Sequence, residues 1–129
     1  MTLSPPYSPP GLTPGPTYEH LMRAGDLVFA AGQIARGDDG TIVGIGDAGE
    51  QAKHIYRNIG LILDHLQATP RNVVKINTIL VDRADREAVT RERLRFFGDH
   101  RPPHTGVIVS GLGDPDVKVE VEIVIYKPV

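Results

Sequence analysis

The chain has 129 residues, of which 40% are apolar, so its length and composition suit one domain with a buried core. The 14 Lys and Arg residues against 16 Asp and Glu residues give a formal net charge of -2 at pH 7, which argues against nucleic acid or anionic lipid as a partner. The absence of cysteine excludes disulfides, thiolate nucleophiles and Cys-ligated zinc, and it suits a cytoplasmic protein.

Residues 1–14 are predicted to form a proline-rich, partly mobile arm ahead of a single domain at residues 15–129. Six of the 11 prolines lie between Met1 and Pro16, a composition that favours extended backbone and prevents a helix. The segment has no basic residue and no apolar run, so it predicts neither a signal peptide nor a membrane span. We therefore expect a cytoplasmic protein that does not interact with membranes.

Two short strands follow the arm. Leu21–Ala24 and Leu27–Ala31 flank the turn residues Gly25 and Asp26, a pattern typical of a β-hairpin. A glycine-rich loop comes next, and a brief strand is predicted at Thr41–Val43.

The segment after this loop predicts an amphipathic helix. Asp47 and Glu50, three residues apart, form the pattern of a capping box at its start, and Pro70 ends it. Apolar residues recur every three or four positions, as on one buried helical face, at Ala52, Ile55, Tyr56, Ile59, Ile62, Leu63 and Leu66.

The remainder of the chain predicts three strands and a second helix. Val73–Val81 is rich in β-branched residues and predicts a central strand, and a helix is predicted from Asp85 to Gly98. Thr105–Val109 predicts another strand, and residues 117–126 alternate between apolar and polar as in a strand with one packed face. The order β-β-α-β-α-β-β indicates an α+β fold with two helices on one face of one mixed sheet.

The glycine-rich segment at residues 44–49 does not indicate a dinucleotide-binding loop. Residues 44–49 match the pattern G-x-G-x-x-G and precede a helix, but at most three strand residues come before them. The first acidic residue after the next strand is Asp82, well beyond the usual spacing of roughly 20 residues. We therefore interpret the segment as a loop that ends in a helix cap, and we expect no cofactor.

Metal and serine chemistry are also disfavoured. His54 and His65 lie on the same predicted helix, about 16 Å apart along its axis, so they cannot share an ion. Ser110 is the only serine outside the arm, and its neighbours do not form a nucleophile elbow. We predict no metal site.

The polar face of the last strand has two interpretations. Lys118, Glu120 and Glu122 are what a solvated sheet face carries, which makes this the simpler interpretation. Val124 and Tyr126 continue the same face with apolar side chains, which suggests that part of it meets another subunit. A carboxylate at such an interface would be desolvated and able to act as a base.

Together these pieces resemble the RidA (YjgF-like) family of reactive-intermediate deaminases, also named the endoribonuclease L-PSP family. The resemblance runs from about Gly15 to Tyr126, and its densest part comprises residues 103–107, Leu112 and residues 116–122. The other matching residues are Gly15, Pro16, Tyr18, Ala31, Gly32, Gln33, Ile34, Asp47, Gln51, Asn58, Val74, Lys75, Val81 and Asp82.

The resemblance implies a chorismate-mutase-like fold and a homotrimer with a central barrel, with the helices outside and a cleft between each pair of subunits. In active members an arginine binds the carboxylate of a 2-imino acid, and water hydrolyses the imine to a 2-keto acid and ammonia. No cofactor is implied, and the expected ligand is a small carbonyl, imine or carboxylate compound.

The resemblance also assigns the site residues. Tyr18 corresponds to the tyrosine that closes the cleft, Gly32 to its backbone wall and Gly106 to the amide that helps to bind substrate. Glu120 corresponds to the catalytic glutamate that positions water. Thr105 completes the predicted substrate-binding set between Gly106 and the arginine position.

His104 occupies the position of the family's arginine. An arginine offers a permanently charged fork to a carboxylate, whereas histidine has single donors and an ordinary pKa of ~6.5. Losing one charge-assisted hydrogen bond costs roughly 1.5–3 kcal/mol of binding. Arg101 is nearby, but two prolines separate it from His104.

Three functions therefore stay open. The protein is predicted to hydrolyse imine or enamine intermediates, or to be a non-catalytic small-ligand-binding or regulatory trimer. The third alternative, a ribonuclease or translation inhibitor, is disfavoured by the balanced charge.

Overall fold

The computed structural model describes residues 3–129 and contains one five-stranded sheet and two α-helices. In chain order the elements are β1 (Leu21–Ala24), β2 (Leu27–Ala30), α1 (Ala48–His65), β3 (Val73–Leu80), α2 (Arg86–Phe97), β4 (His104–Ile108) and β5 (Val119–Tyr126), with short 3-10 turns at Pro70–Asn72 and Arg83–Asp85. The predicted β-β-α-β-α-β-β order and the α+β class are confirmed.

The sheet has the strand order β1-β2-β5-β3-β4, so the last strand lies at its centre. β5 is antiparallel to both β2 and β3, whereas β4 is parallel to β3 and forms an edge. A parallel pair needs a crossover connection, which α2 supplies between β3 and β4. Ile79 of β3 pairs with Glu120 of β5 on one side and with Val107 of β4 on the other.

The core lies between the two helices and one face of the sheet. The apolar stripe of α1 is buried as predicted, with Ile55, Ile59 and Ile62 fully covered. The alternation along β5 is also confirmed, because its odd-numbered residues are buried and its even-numbered residues are not. Tyr56 of α1 packs against Phe96 and Phe97 of α2, with ring centroids 5.1 and 5.9 Å apart, and this contact joins the helices.

We call the opposite side of the sheet the outer face. Phe29 and Tyr126 are 46% and 47% exposed on it, although both are large aromatic residues. By alternation and register, the outer face includes Phe29, Lys75, Asn77, Ile79, Thr105, Val107, Glu120, Glu122, Val124 and Tyr126.

The prediction of a strand at Thr41–Val43 is wrong. The segment makes one isolated bridge, Arg36 to Ile42, and a tight turn in which Gly37 N–H donates to the Thr41 carbonyl at 2.8 Å. Gly40 has a φ of 86°, a left-handed conformation that glycine adopts without strain. Because three residues follow this turn before the next glycine bend, the segment has no length to extend a ladder.

The described part of the predicted arm, residues 3–14, lies along β1 and α1. Tyr7 and Leu21 exchange two backbone hydrogen bonds of 2.9 and 2.8 Å, and the Tyr7 ring lies 5.8 Å from that of His65. Residues 1 and 2 of the arm lie outside the described residues. Within residues 3–129 neither helix is long and apolar enough to span a bilayer.

Candidate functional site

Glu120 and Gly32 are in direct contact. Gln33 and Val121 exchange backbone hydrogen bonds of 2.8 and 3.0 Å, which brings the segment after β2 against β5 and sets Gly32 beside Glu120. A Cβ atom on Gly32 would lie 2.1 Å from Glu120 Oε2, so only glycine fits beside this carboxylate in its present position.

A cavity of about 480 Å³ surrounds this contact. Its lining includes Tyr18, Gly32, Arg36, Asp114 and Glu120. The Tyr18 ring folds back on Gly15, where a Cβ atom would lie 2.4 Å from its Cζ, and the residue is 49% exposed at the mouth. The structure therefore brings together three of the predicted site residues, Tyr18, Gly32 and Glu120.

The environment of Glu120 raises the pKa of its carboxyl group. Partial burial raises the pKa of its carboxyl above the ordinary value, and the nearby charge of Glu122 raises it further. Glu122 itself accepts a hydrogen bond from Asn77 Nδ2 at 3.1 Å. A raised pKa makes the Glu120 carboxylate a stronger base, which suits it to take a proton from water.

His104 lies in a second cavity, of about 410 Å³, between β4 and α2. Its Nε2 atom is 2.7 Å from Arg93 Nη1 and 2.9 Å from Thr78 Oγ1. Because a guanidinium can only donate, Nε2 is the acceptor, and the neutral ring carries its proton on Nδ1. Arg93 thus places a fixed positive charge beside the residue that occupies the arginine position.

The imidazole is held in this neutral form. Partial burial lowers the pKa of His104 below its ordinary value, and the charges of Arg93 and Lys75 lower it further. Where His104 and Arg93 meet, the positive charge at neutral pH is therefore the guanidinium of Arg93 rather than an imidazolium.

The other two predicted residues of β4 lie on opposite sides of the sheet. Thr105 pairs with Asn77 on the outer face, and its hydroxyl accepts a hydrogen bond from Lys75 Nζ at 2.7 Å. Gly106 lines the His104 cavity, and a Cβ atom there would lie 3.2 Å from His104 Cε1.

Within one chain, the six predicted residues do not form a single pocket. His104 and Gly106 line one cavity, whereas Tyr18, Gly32 and Glu120 line the other. The sequence prediction placed the cleft between subunits, where two such halves from different chains meet, and this stays a prediction.

Sequence reasoning missed Arg93. Arg86, Thr90 and Arg93 recur at helical spacing along α2, and all three line the His104 cavity. That spacing was the available signal, but a polar stripe on a surface helix is usually only its solvated side. Arg101, the arginine near His104 in sequence, instead donates to the carbonyls of Gly98 and His100.

His20, His54 and His100, outside this cavity, make hydrogen bonds with other groups of the chain. His54 Nε2 lies 3.0 Å from the Arg36 carbonyl oxygen, and His100 Nε2 lies 2.9 Å from that of Val73. In the part of the chain that the structure describes, no three His, Asp or Glu side chains cluster as metal ligands do.

The family model described as Endoribonuclease L-PSP matches residues 11–127. The chain belongs to this family. This result confirms the resemblance to RidA-type proteins seen in the sequence.

Individual relatives agree with the assignment. A RutC family protein of Pyrococcus abyssi is 34% identical over 110 residues, which cover 85% of this chain and 86% of the relative. The 3-aminoacrylate deaminase RutC of Acinetobacter baylyi is 29% identical over 119 residues, covering 92% of this chain and 91% of that protein. The crystal structure of yeast Mmf1 superposes with a TM-score of 0.83 at 27% identity, covering 98% of this chain and 99% of Mmf1.

Proposed function

We propose that this L-PSP family protein is a homotrimer that hydrolyses small imine or enamine compounds to carbonyl compounds and ammonia in clefts between its subunits. The observation that carries the proposal is the contact of Glu120 with Gly32 in a cavity that Tyr18 borders. The similarity of the chain to the 3-aminoacrylate deaminase RutC supports the same class of reaction.

Glu120 acts as the general base in this reaction. Its carboxylate takes a proton from water while the water oxygen bonds to the imine carbon, and the C=N electron pair moves to nitrogen. Glu120 passes this proton to nitrogen, and a second proton moves from the new hydroxyl group to nitrogen. The C–N bond then breaks, which releases ammonia as the C=O bond forms. An enamine first takes a proton on carbon and loses one from nitrogen, which makes it the imine. No electron acceptor is needed, because carbon keeps its oxidation state.

The proposed trimer is supported by the outer face and by the complementary character of the two cavities. Phe29, Val124 and Tyr126 form an apolar area on the outer face that association would remove from water. The Glu120 cavity contains the base, whereas the His104 cavity contains the cation that a carboxylate substrate needs. Joining the two halves across an interface would give one complete site.

The experiment is an imine hydrolysis assay on the full chain. 2-Iminobutanoate is generated in situ, and release of the keto acid is compared with the uncatalysed rate. The wild type is expected to accelerate release, and Glu120→Gln is expected to lower kcat by about 10²–10⁴-fold because the general base is lost. Glu50→Gln, an exposed carboxylate on α1, is the matched control and should keep wild-type activity.

Two other outcomes have a defined meaning. A keto acid that raises the Tm of the trimer without any turnover would contradict the hydrolase and favour a binding or regulatory module. That alternative is motivated by the histidine at position 104. The ribonuclease alternative would instead be favoured if the purified protein, free of contaminating nuclease, cleaved RNA and Glu120→Ala abolished this cleavage.

A further inference from the structure

The cavity beside His104 contains more positive charge than one carboxylate requires. Arg83, Arg86 and Arg93 line it together with His104, and we call this space the arginine cavity. Within residues 3–129, none of these three guanidiniums lies within 4.0 Å of a carboxylate.

The acidic side chains near these arginines are engaged elsewhere. Asp85 forms an ion pair with Lys118 at 3.2 Å, and Glu87 pairs with Arg91 at 3.5 Å. The Asp82 carboxylate accepts a hydrogen bond from the backbone N–H of Ala84 at 2.9 Å. Like charges gathered at one cavity repel one another unless an anion balances them. The positive charge of the arginine cavity is therefore available to a ligand.

The arginines are arranged as two groups rather than one. Arg86 and Arg93 are two helical turns apart on the same side of α2, about 10 Å along the axis. Arg83 belongs to the 3-10 turn just before α2 and lies at the Arg86 end. His104 lies at the Arg93 end, where its Nε2 accepts a hydrogen bond from the guanidinium at 2.7 Å. Two separated cationic ends fit a ligand with two separated anionic groups better than one compact anion.

We infer that the arginine cavity binds a small dicarboxylate, with Arg93 holding the carboxylate next to the reacting carbon and Arg86 with Arg83 holding the second one. The inference deepens the proposed function, on which it rests for the reaction, by naming dicarboxylic imino and keto acids as the ligand class. His104 is a positioning residue that holds the Arg93 fork through its acceptor nitrogen. The guanidinium that the sequence lacks at position 104 is thus supplied from α2.

The test compares two keto acids of equal length on the full chain by isothermal titration calorimetry. 2-Oxoglutarate has a second carboxylate, and 2-oxopentanoate has a methyl group in its place. We expect 2-oxoglutarate to bind about ten- to a hundred-fold more tightly, because only it makes the second charge-assisted interaction.

Variants separate the two ends of the cavity. Arg86→Gln is expected to remove most of the preference for 2-oxoglutarate, because the loss of affinity falls mainly on that ligand. Arg93→Gln should lower the affinity for both ligands. Arg93→Lys should recover only part of that affinity, since a lysine lacks the planar fork of arginine. Arg91→Gln is the matched control, because Arg91 is exposed and pairs with Glu87 outside the cavity.

The outcomes distinguish this inference from the proposed function. Equal affinity for the two keto acids, a preference that survives Arg86→Gln, or no binding of either would overturn the inference. Tighter binding of inorganic phosphate than of 2-oxoglutarate would also overturn it, because the cavity would then suit one compact anion. Hydrolysis of 2-iminobutanoate without any preference would refute only the dicarboxylate, whereas a preference without any hydrolysis would refute only the reaction.

Discussion

Gln51 and Lys118 connect the first helix to the start of the central strand. The Gln51 side chain is fully buried, and its Oε1 accepts a hydrogen bond from the backbone N–H of Lys118 at 2.8 Å. Its Nε2 donates to the Asp116 carbonyl at 2.8 Å. Because Glu120 follows two residues after Lys118, this side chain fixes where the candidate base enters the sheet.

Gln51→Leu is expected to destabilise the protein by at least about 2 kcal/mol. Leucine has a similar size but removes the side-chain partners of the Lys118 N–H and the Asp116 carbonyl, two part-buried hydrogen bonds. A donor or acceptor that loses its partner away from water costs roughly 1–3 kcal/mol. Urea unfolding measures the change. Lys53→Leu, an exposed position on the same helix, is the control and should change the free energy of unfolding by less than about 0.5 kcal/mol. Equal effects of the two substitutions would show that the buried hydrogen bonds contribute little.

Where hydrophobic periodicity was strong, the sequence predicted the fold correctly. The stripe through Ile55, Ile59 and Ile62 can be satisfied only by a helix that faces a core, and the alternation of β5 only by a strand with one covered face. The error at Thr41–Val43 arose because three β-prone residues between glycines also fit a compact loop. The start of β5 was placed two residues early, since Val117 continues the alternation but belongs to a turn with Asp114.

The candidate site was only partly predictable. Glu120, Gly32 and Tyr18 were identified by resemblance, and they meet because the bridge between Gln33 and Val121 brings the segment after β2 to β5. Arg93 belongs to none of the residues that carry the resemblance, and its helical spacing with Arg86 does not reveal its role, because that role depends on the contact of α2 with His104 of β4. That contact is tertiary, and no local spacing in the sequence encodes it.

Gly32→Ala is expected to lower imine hydrolysis by about 10²-fold while leaving the fold intact. The added methyl group would overlap Glu120 Oε2, so the carboxylate must move by about 1 Å, and such displacements of a catalytic group are costly. Steady-state kinetics and a thermal unfolding curve measure the two effects. Gly111→Ala is the control, since a Cβ there meets no atom within 4 Å. Wild-type kcat/KM in Gly32→Ala would mean that the position of Glu120 is not critical.

The lowered pKa of His104 predicts a loss of stability in mild acid. In the unfolded chain this histidine takes up a proton near its ordinary pKa of 6.5, whereas in the folded chain it does so only at lower pH. The unfolded state therefore binds more protons as the pH falls below about 6.5, and folding is weakened there; above that pH the penalty is absent.

His104→Gln tests this prediction. Glutamine keeps an acceptor oxygen for Arg93 but does not titrate, so the variant should lose less stability than the wild type between pH 8 and pH 5. Free energies of unfolding in urea at several pH values give the comparison. Parallel pH profiles for the two proteins would indicate that the imidazole titrates as it does in the unfolded chain.

The paired residues Phe29 and Val124 test the proposed trimer. They are registered partners on the outer face, and Phe29 is 46% exposed in the single chain. If this area is buried between subunits, Val124→Asp places an unpaired carboxylate in an apolar interface, which costs several kcal/mol for each copy. Light scattering after size exclusion should then give the mass of a monomer where the wild type gives that of a trimer. Imine hydrolysis should disappear with the trimer, because each chain contributes only half of the proposed site.

Leu94→Asp, at a 39% exposed position of α2, is the control and should stay trimeric. A wild-type protein that is itself monomeric and still active would refute the shared cleft, since the Glu120 and His104 cavities are separate within one chain.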